Sequence, residues 1–167
     1  MADDVARPEP DLEPDSATEP TTEPATESAT VTRSVDIAAD GEDVWRAVVD
    51  PDRRGDWLDD PDAAARNVRV DEVDAGRRLV WTWWRPGGEP DASTVEIALR
   101  PLDGGGTRVV VTERLVVPVP VPTPGAASAA RAAAAGRARS QASARLRWDH
   151  RLLGLELQFI GVLAGVG

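Results

Sequence analysis

Residues Arg145–Ile160 repeat apolar side chains at helical spacing twice over, and this limits what the chain can fold into. On a wheel of about 100° per residue, Trp148, Leu152, Leu155 and Phe159 share one face. Leu146, Leu153, Leu157 and Ile160 share nearly the opposite face. The polar residues fall into two seams between them, Arg145/Asp149/Glu156 and Arg147/Arg151/Gln158. A surface helix normally carries one apolar stripe. Two stripes require cover on both sides, or a partner for one of them.

The length of the folding unit follows from where the charge lies. The chain has 167 residues and a net charge of −10. Residues 1–30 hold nine acidic side chains and one basic one, a net of −8, so the remainder is close to neutral. In that leader Thr18-Glu19-Pro20, Thr22-Glu23-Pro24 and Thr26-Glu27-Ser28 recur every four residues. Few apolar groups and a high net charge cannot offset the entropy of ordering, which predicts a disordered acidic leader over 1–30. It reads either as a solubilising tail or as a tail that docks on an arginine-rich surface. Residues 31–163 are then expected to form one domain, with a proline-, alanine- and arginine-rich insert at 117–144.

There is no cysteine, which excludes disulfides and thiolate metal sites, and all nineteen basic residues are arginine. The N-terminus has no basic-then-apolar secretory pattern. The apolar run from Leu152 is broken by Glu156, Gln158 and glycines, too short for a membrane span of about 20 residues. A cytoplasmic protein is the expectation.

The elements follow from local chemistry. Val31–Ile37 alternates as a strand. Asp40 is placed to cap a helix that carries Val44, Trp45, Val48 and Val49 and stops at Asp50-Pro51, because the residue before a proline is pushed out of the α region. Pro51–Trp57 predicts a second short helix with proline at its first position. Leu58–Ala65 reads as an acidic loop. Four strands are expected over Asn67–Val73, Arg78–Arg85, Ala92–Arg100 and Thr107–Val117, the first slipping phase near Asp71/Glu72. Pro86–Pro90 and Asp103–Gly106 are turn-formers, so the four form an antiparallel meander. Prolines 118, 120, 122 and 124 predict an extended segment. Ala126–Ala144 leads into the last helix or is partly disordered.

Several stretches resemble one family. Val44-Trp45-Arg46-Ala47-Val48-Val49-Asp50-Pro51, then Trp57, then Val70, Val73 and Gly76-Arg77-Arg78-Leu79-Val80-Trp81-Thr82-Trp83 are similar to the SRPBCC, or START-like, superfamily. Within it they resemble the group related to the C-terminal domain of the activator of heat shock protein 90 ATPase. Gly105–Glu113 resembles that group's penultimate hairpin strand, and Trp148 with Leu152 and Leu155 its terminal helix. The resemblance implies an α+β helix-grip fold, a curved antiparallel sheet wrapped around a long C-terminal helix with an apolar cavity between. It also implies two further strands between Trp57 and Val68, where this chain has only residues 58–67. The expectation is therefore a truncated variant of about five strands with an exposed edge and an open cavity.

The resemblance implies a non-catalytic domain that binds a small hydrophobic ligand. The alternatives are a protein-interaction module and, third, an enzyme of the polyketide cyclase type. Trp45, Trp57, Trp81, Trp83 and Trp148 are the candidate cavity residues, since an indole offers apolar area and one N–H donor; each could equally be plain core. Arg33 and Glu113 share strand parity with inward residues and could orient a polar group or pair with each other; alternatively they reach solvent at strand ends. His150, the only histidine, lacks a facing partner because Asp149 is its sequence neighbour, so no catalytic residue is assigned and an enzyme is not the leading reading. Asp56, Asp59, Asp60 and Asp62 lack the glycine and spacing of a calcium loop and read as a solvated loop. No metal or cofactor is expected. Gly104-Gly105-Gly106-Thr107 joins two strands without a Walker lysine, and there is no Gly-x-Ser-x-Gly elbow. Residues 126–151 carry six arginines and one aspartate, but without interleaved aromatics before Trp148 nucleic acid is not an expected partner. The stripe of Leu146, Leu153, Leu157 and Ile160 is the expected site for a homodimer or another protein.

Overall fold

The computed structural model describes residues 26–88, 92–118 and 127–163. Five strands and four helices follow in the order β1 (Thr26–Ile37), α1 (Gly41–Val49), α2 (Pro51–Trp57), α3 (Pro61–Ala64), β2 (Asn67–Asp74), β3 (Arg78–Trp84), β4 (Ser93–Pro101), β5 (Thr107–Pro118) and α4 (Ala127–Leu163). One antiparallel sheet runs β1-β5-β4-β3-β2. The meander of β2 to β5 is as expected, and β1 closes it by pairing β5 from Thr26↔Pro118 to Ile37↔Thr107. This is the helix-grip arrangement, α+β with five strands.

Three boundaries differ from the sequence reading. β1 begins at Thr26, five residues inside the segment expected to be leader. Thr26–Thr30 has little local strand preference, but the far half of β5 supplies backbone partners for it and Ala29 is buried against the core. Leu58–Ala65 is more than a loop: Asp60 accepts from Ala63 N at 2.8 Å and starts α3 with Pro61 at its first position. Residues 127–144 of the expected insert are helical and continuous with α4, because alanine outweighs the cost of one glycine. The leader over 1–25 and the proline-rich residues 119–126 lie outside the described residues.

Asp50 joins α1 to α2. Its backbone N–H closes α1 on Arg46 O, while its side chain accepts from Asp52 N and opens α2. Asp40 does the same for α1 alone, accepting from Glu42 N and Asp43 N. The Trp57 indole N–H donates to Ala47 O at 3.0 Å and ties the end of α2 back onto α1.

The core lies between the sheet and α4. Val31, Ile37, Leu79, Trp81, Trp83, Val95, Ile97, Leu99, Val109 and Val111 face inward from the strands; Ala144, Trp148, Leu152 and Leu155 meet them from α4. Gly154 faces Trp57, where a Cβ would stand 3.4 Å from the Trp57 carbonyl oxygen, so a small residue lets α2 approach α4 closely. Behind the β4–β5 turn, Gly106 adopts φ +90° and a Cβ there would fall 2.6 Å from Ile37 O, which requires glycine.

The sheet ends at β2. Val68, Val70 and Val73 pair across to Trp83, Trp81 and Leu79 and so share the inner face of the sheet. Nevertheless they are 41%, 46% and 53% exposed, and all eight residues of β2 are exposed. The register shift lies between Val70 and Glu72, where the sequence slips phase. α4 does not reach this far across, and the inner face of the sheet ends open along β2.

Candidate functional site

Glu113 is fully buried, on the inner face of β5. Its Oε1 accepts from the Trp83 indole at 3.1 Å and its Oε2 from the Trp148 indole at 2.8 Å. A buried carboxylate needs such donors, since leaving it unpaired would cost several kcal/mol, on the order of a charged desolvation. The two indoles stack with centroids 5.8 Å apart, and Trp81 meets Trp83 edge-on at 6.1 Å. Sheet and helix are thus joined through one carboxylate. Of the two alternatives for Glu113, the inward one is realised, though its partners are indoles and not Arg33.

Guanidinium groups lie over Trp81, Trp83 and Trp148. Arg54 of α2 lies 5.3 Å from the Trp81 ring centre, Arg66 lies 4.6 Å from that of Trp83, and Arg151 lies 4.9 Å and 5.0 Å from those of Trp83 and Trp148. Burial pulls the Arg54 pKa down, against the opposing charge of Asp50. Arg151 is 1% exposed and donates from Nε to Asp60 Oδ2 at 2.6 Å. Asp62 collects Arg66, Arg85, Arg147 and Arg151. Burial alone would raise the pKa of both aspartates, but the Arg151 and Ala63 hydrogen bonds on Asp60 outweigh it. The Arg85 hydrogen bond and the Arg66 and Arg147 charges do the same on Asp62, and both titrate below the usual carboxylate range.

This overturns the reading of Asp60 and Asp62 as a solvated loop: α3 turns them toward α4, and arginines there require counter-charges. The helical wheel places Arg151 in a polar seam, which misses this role. The wheel held a signal, because Arg151 stands about 40° from Leu155, at the margin of the buried stripe.

The other candidates are placed as follows. Trp81, Trp83 and Trp148 come together; Trp57 is buried at the end of α2, bonded to Ala47 of α1; Trp45 is only partly buried. The Trp81 indole nitrogen is buried with no hydrogen-bond partner among the described residues. Arg33 is half-buried and its Nε lies 2.7 Å from Asp149 Oδ1, an ion pair between β1 and α4. It does not meet Glu113, whose cross-strand neighbour is Val31. His150 is exposed on α4. The outer stripe is exposed throughout: Leu146 71%, Leu153 51%, Leu157 55% and Ile160 54%. Among the described residues no helix is long and apolar enough to cross a membrane.

A curved five-stranded antiparallel sheet holding one long C-terminal helix against a buried aromatic and carboxylate interior defines a START-like domain. The sequence agrees: residues 58–142 match the family described as Activator of Hsp90 ATPase homolog 1-like protein, and the chain belongs to that family. No curated protein sequence matches it. Solved structures share the fold at low identity. Protein MLL2253 from Mesorhizobium loti is 18% identical with a TM-score of 0.55, over 80% of this chain and 97% of its own. Protein SA2116 from Staphylococcus aureus is 12% identical with a TM-score of 0.56, over 80% and 96%. The Aha1 dimer from Colwellia psychrerythraea is 13% identical with a TM-score of 0.52, over 78% and 96%.

Proposed function

We propose that this START-like domain is a protein-interaction module that works through the outer face of α4, its first partner being a second copy of itself. The observation that carries the reading is the exposed stripe. Leu146, Leu153, Leu157 and Ile160 each leave half or more of their surface in water although the domain has a formed core elsewhere. The spacing 146, 153, 157, 160, with His150 filling the remaining step, follows the alternating three-and-four pattern by which one helix seats against another. Such a stripe is self-complementary about a two-fold axis. The solved Aha1 relative described as a dimer adds support. Light scattering after size exclusion tests the reading on the full chain: a dimer is expected, reduced to a monomer by Leu153→Glu with its thermal midpoint unchanged. A wild-type chain that stays monomeric at high micromolar concentration would sink it.

The small-ligand reading has its own observation. Among the described residues Trp81 Nε1 and Arg151 Nη1 are buried donors without a hydrogen-bond partner, and Trp81 pairs across to the exposed Val70 of β2. An unpaired buried donor costs about 1–3 kcal/mol, which a bound acceptor would return.

A further inference from the structure

The first half of α4 is cationic and uncovered. Residues 127–148 contain five arginines and no acidic side chain, in a chain whose net charge is −10. Arg147 pairs with Asp62. Arg131, Arg139 and Arg145 are exposed. Among the described residues no carboxylate pairs with these three, and Arg139 Nε donates to Ala135 O of its own helix at 3.3 Å. They fall within about 120° of the helical wheel and run about 20 Å along one side of the helix. The residues between them are mainly alanine, so this half of the helix offers charge and little apolar area.

The opposite charge lies in the same chain. Residues 1–25 hold eight acidic side chains and one arginine, a net of −7, with the acids spread from Asp3 to Glu23. This segment joins the domain at Thr26, the first residue of β1. Thr26 stands opposite Pro118, and eight residues separate Pro118 from Ala127, a reach of about 30 Å. Arg33 meets Asp149, so a helix running against β1 would leave Ala127 more than about 50 Å from Thr26. α4 therefore runs with β1, and its arginine-bearing half lies at the end of the sheet where β1 starts.

We propose that the acidic leader, residues 1–25, docks on the first half of α4 of the same chain, its carboxylates pairing with Arg131, Arg139 and Arg145. Each such pair is weak in water, because salt screens exposed charges beyond about 8 Å at physiological ionic strength. Tethering offsets this, since a segment joined to the domain acts at an effective concentration on the order of millimolar. The docked leader makes this stretch of helix available only to polyanions that displace it. The proposal is independent of the dimer contact through the later half of α4 and of the small-ligand reading.

The test uses the full chain. It has no cysteine, so Thr18→Cys accepts a nitroxide spin label at a single position. A nitroxide close to an amide broadens that amide's NMR signal. Selective loss of the signals of residues 128–146 is expected at low salt, with recovery at about 0.5 M salt, where the Debye length falls to a few ångströms. Arg131→Gln/Arg139→Gln/Arg145→Gln should abolish the loss, while the remaining signals show that the domain is still folded. Changing the eight leader acids to Asn and Gln should abolish it too, with α4 untouched. Loss spread evenly over the domain, no loss at all, or loss that survives the three arginine substitutions would overturn the proposal. So would an equal loss in a mixture whose spin label and NMR isotope are on different chains, which would put the leader on a second copy.

Discussion

The two long faces of α4 carry apolar stripes of similar make-up and meet opposite fates. Trp148, Leu152 and Leu155 are at most 3% exposed, while Leu146, Leu153, Leu157 and Ile160 are at least half exposed. Apolar content does not separate them. The inner face also carries polar groups with designated partners across the interface: the Trp148 indole with Glu113 of β5, and Arg151 with Asp60 ahead of α3. Among the described residues the outer stripe has no such partners. Hydrophobic burial is non-directional, so either stripe could have met the sheet. Wrong rotation of the helix would take one of two donors from Glu113 and the Arg151 counter-charge from Asp60, and that favours the stripe that goes in.

Breaking the inner face should cost most. Trp148→Ala removes a large buried side chain and one of two donors to Glu113, and is expected to lower stability by about 3–5 kcal/mol or prevent folding. Chemical denaturation monitored by circular dichroism measures it; a loss under about 1 kcal/mol would show that Glu113 and Trp148 do not fix the helix. Arg151→Met should lose somewhat less, about 3 kcal/mol, because it leaves Asp60 short of its counter-ion. Arg151→Met with Asp60→Asn in the same chain should recover part of that, and the double-mutant cycle isolates the pair.

Acid should weaken the same face. The folded pKa values of Asp60 and Asp62 lie below the unfolded value of about 3.9, so their contribution is complete above that value and is lost as pH falls through the lower folded values. Both side chains are partly solvated, which tempers the effect. Denaturation midpoints measured between pH 7 and pH 2 should drop below about pH 4, less steeply in Asp60→Asn/Asp62→Asn. A drop equally steep in that variant would place the acid sensitivity elsewhere. Smaller again is Trp57→Phe, which keeps most of the packing and loses the bond to Ala47 O, about 1 kcal/mol. On the outer face, Leu157→Glu should change monomer stability by less than about 0.5 kcal/mol while shifting the association constant. A large loss of monomer stability would mean that the outer stripe belongs to the core.

The fold was legible where local chemistry and global packing agree. Capping at Asp40, the helix stop at Asp50-Pro51, the slip in β2 and the alternation of β4 each show in a few neighbouring residues. The exposed edge was also expected, and β2 is that edge. What was hidden depends on residues distant in sequence. Thr26–Thr30 becomes strand only because β5 runs on to meet it, and Asp62 gathers arginines from three other places along the chain. Composition marks the tryptophans as a group. Their division into a carboxylate-linked pair, an unpartnered neighbour and a separate anchor at Trp57 is a property of register, which composition does not contain.

The open strand β2 has a consequence for behaviour in concentrated solution. A strand paired on one side only invites another chain to add to it. Here the bulge after Val70 breaks the repeat that an incoming strand would have to match. Arg69, Asp71, Glu72 and Asp74 place charge along it, with Arg69 holding Asp71 and Arg78 holding Glu72. Sheet-to-sheet growth is therefore opposed at this margin, and the self-association proposed for the helix would close after two copies instead of running on as a fibre.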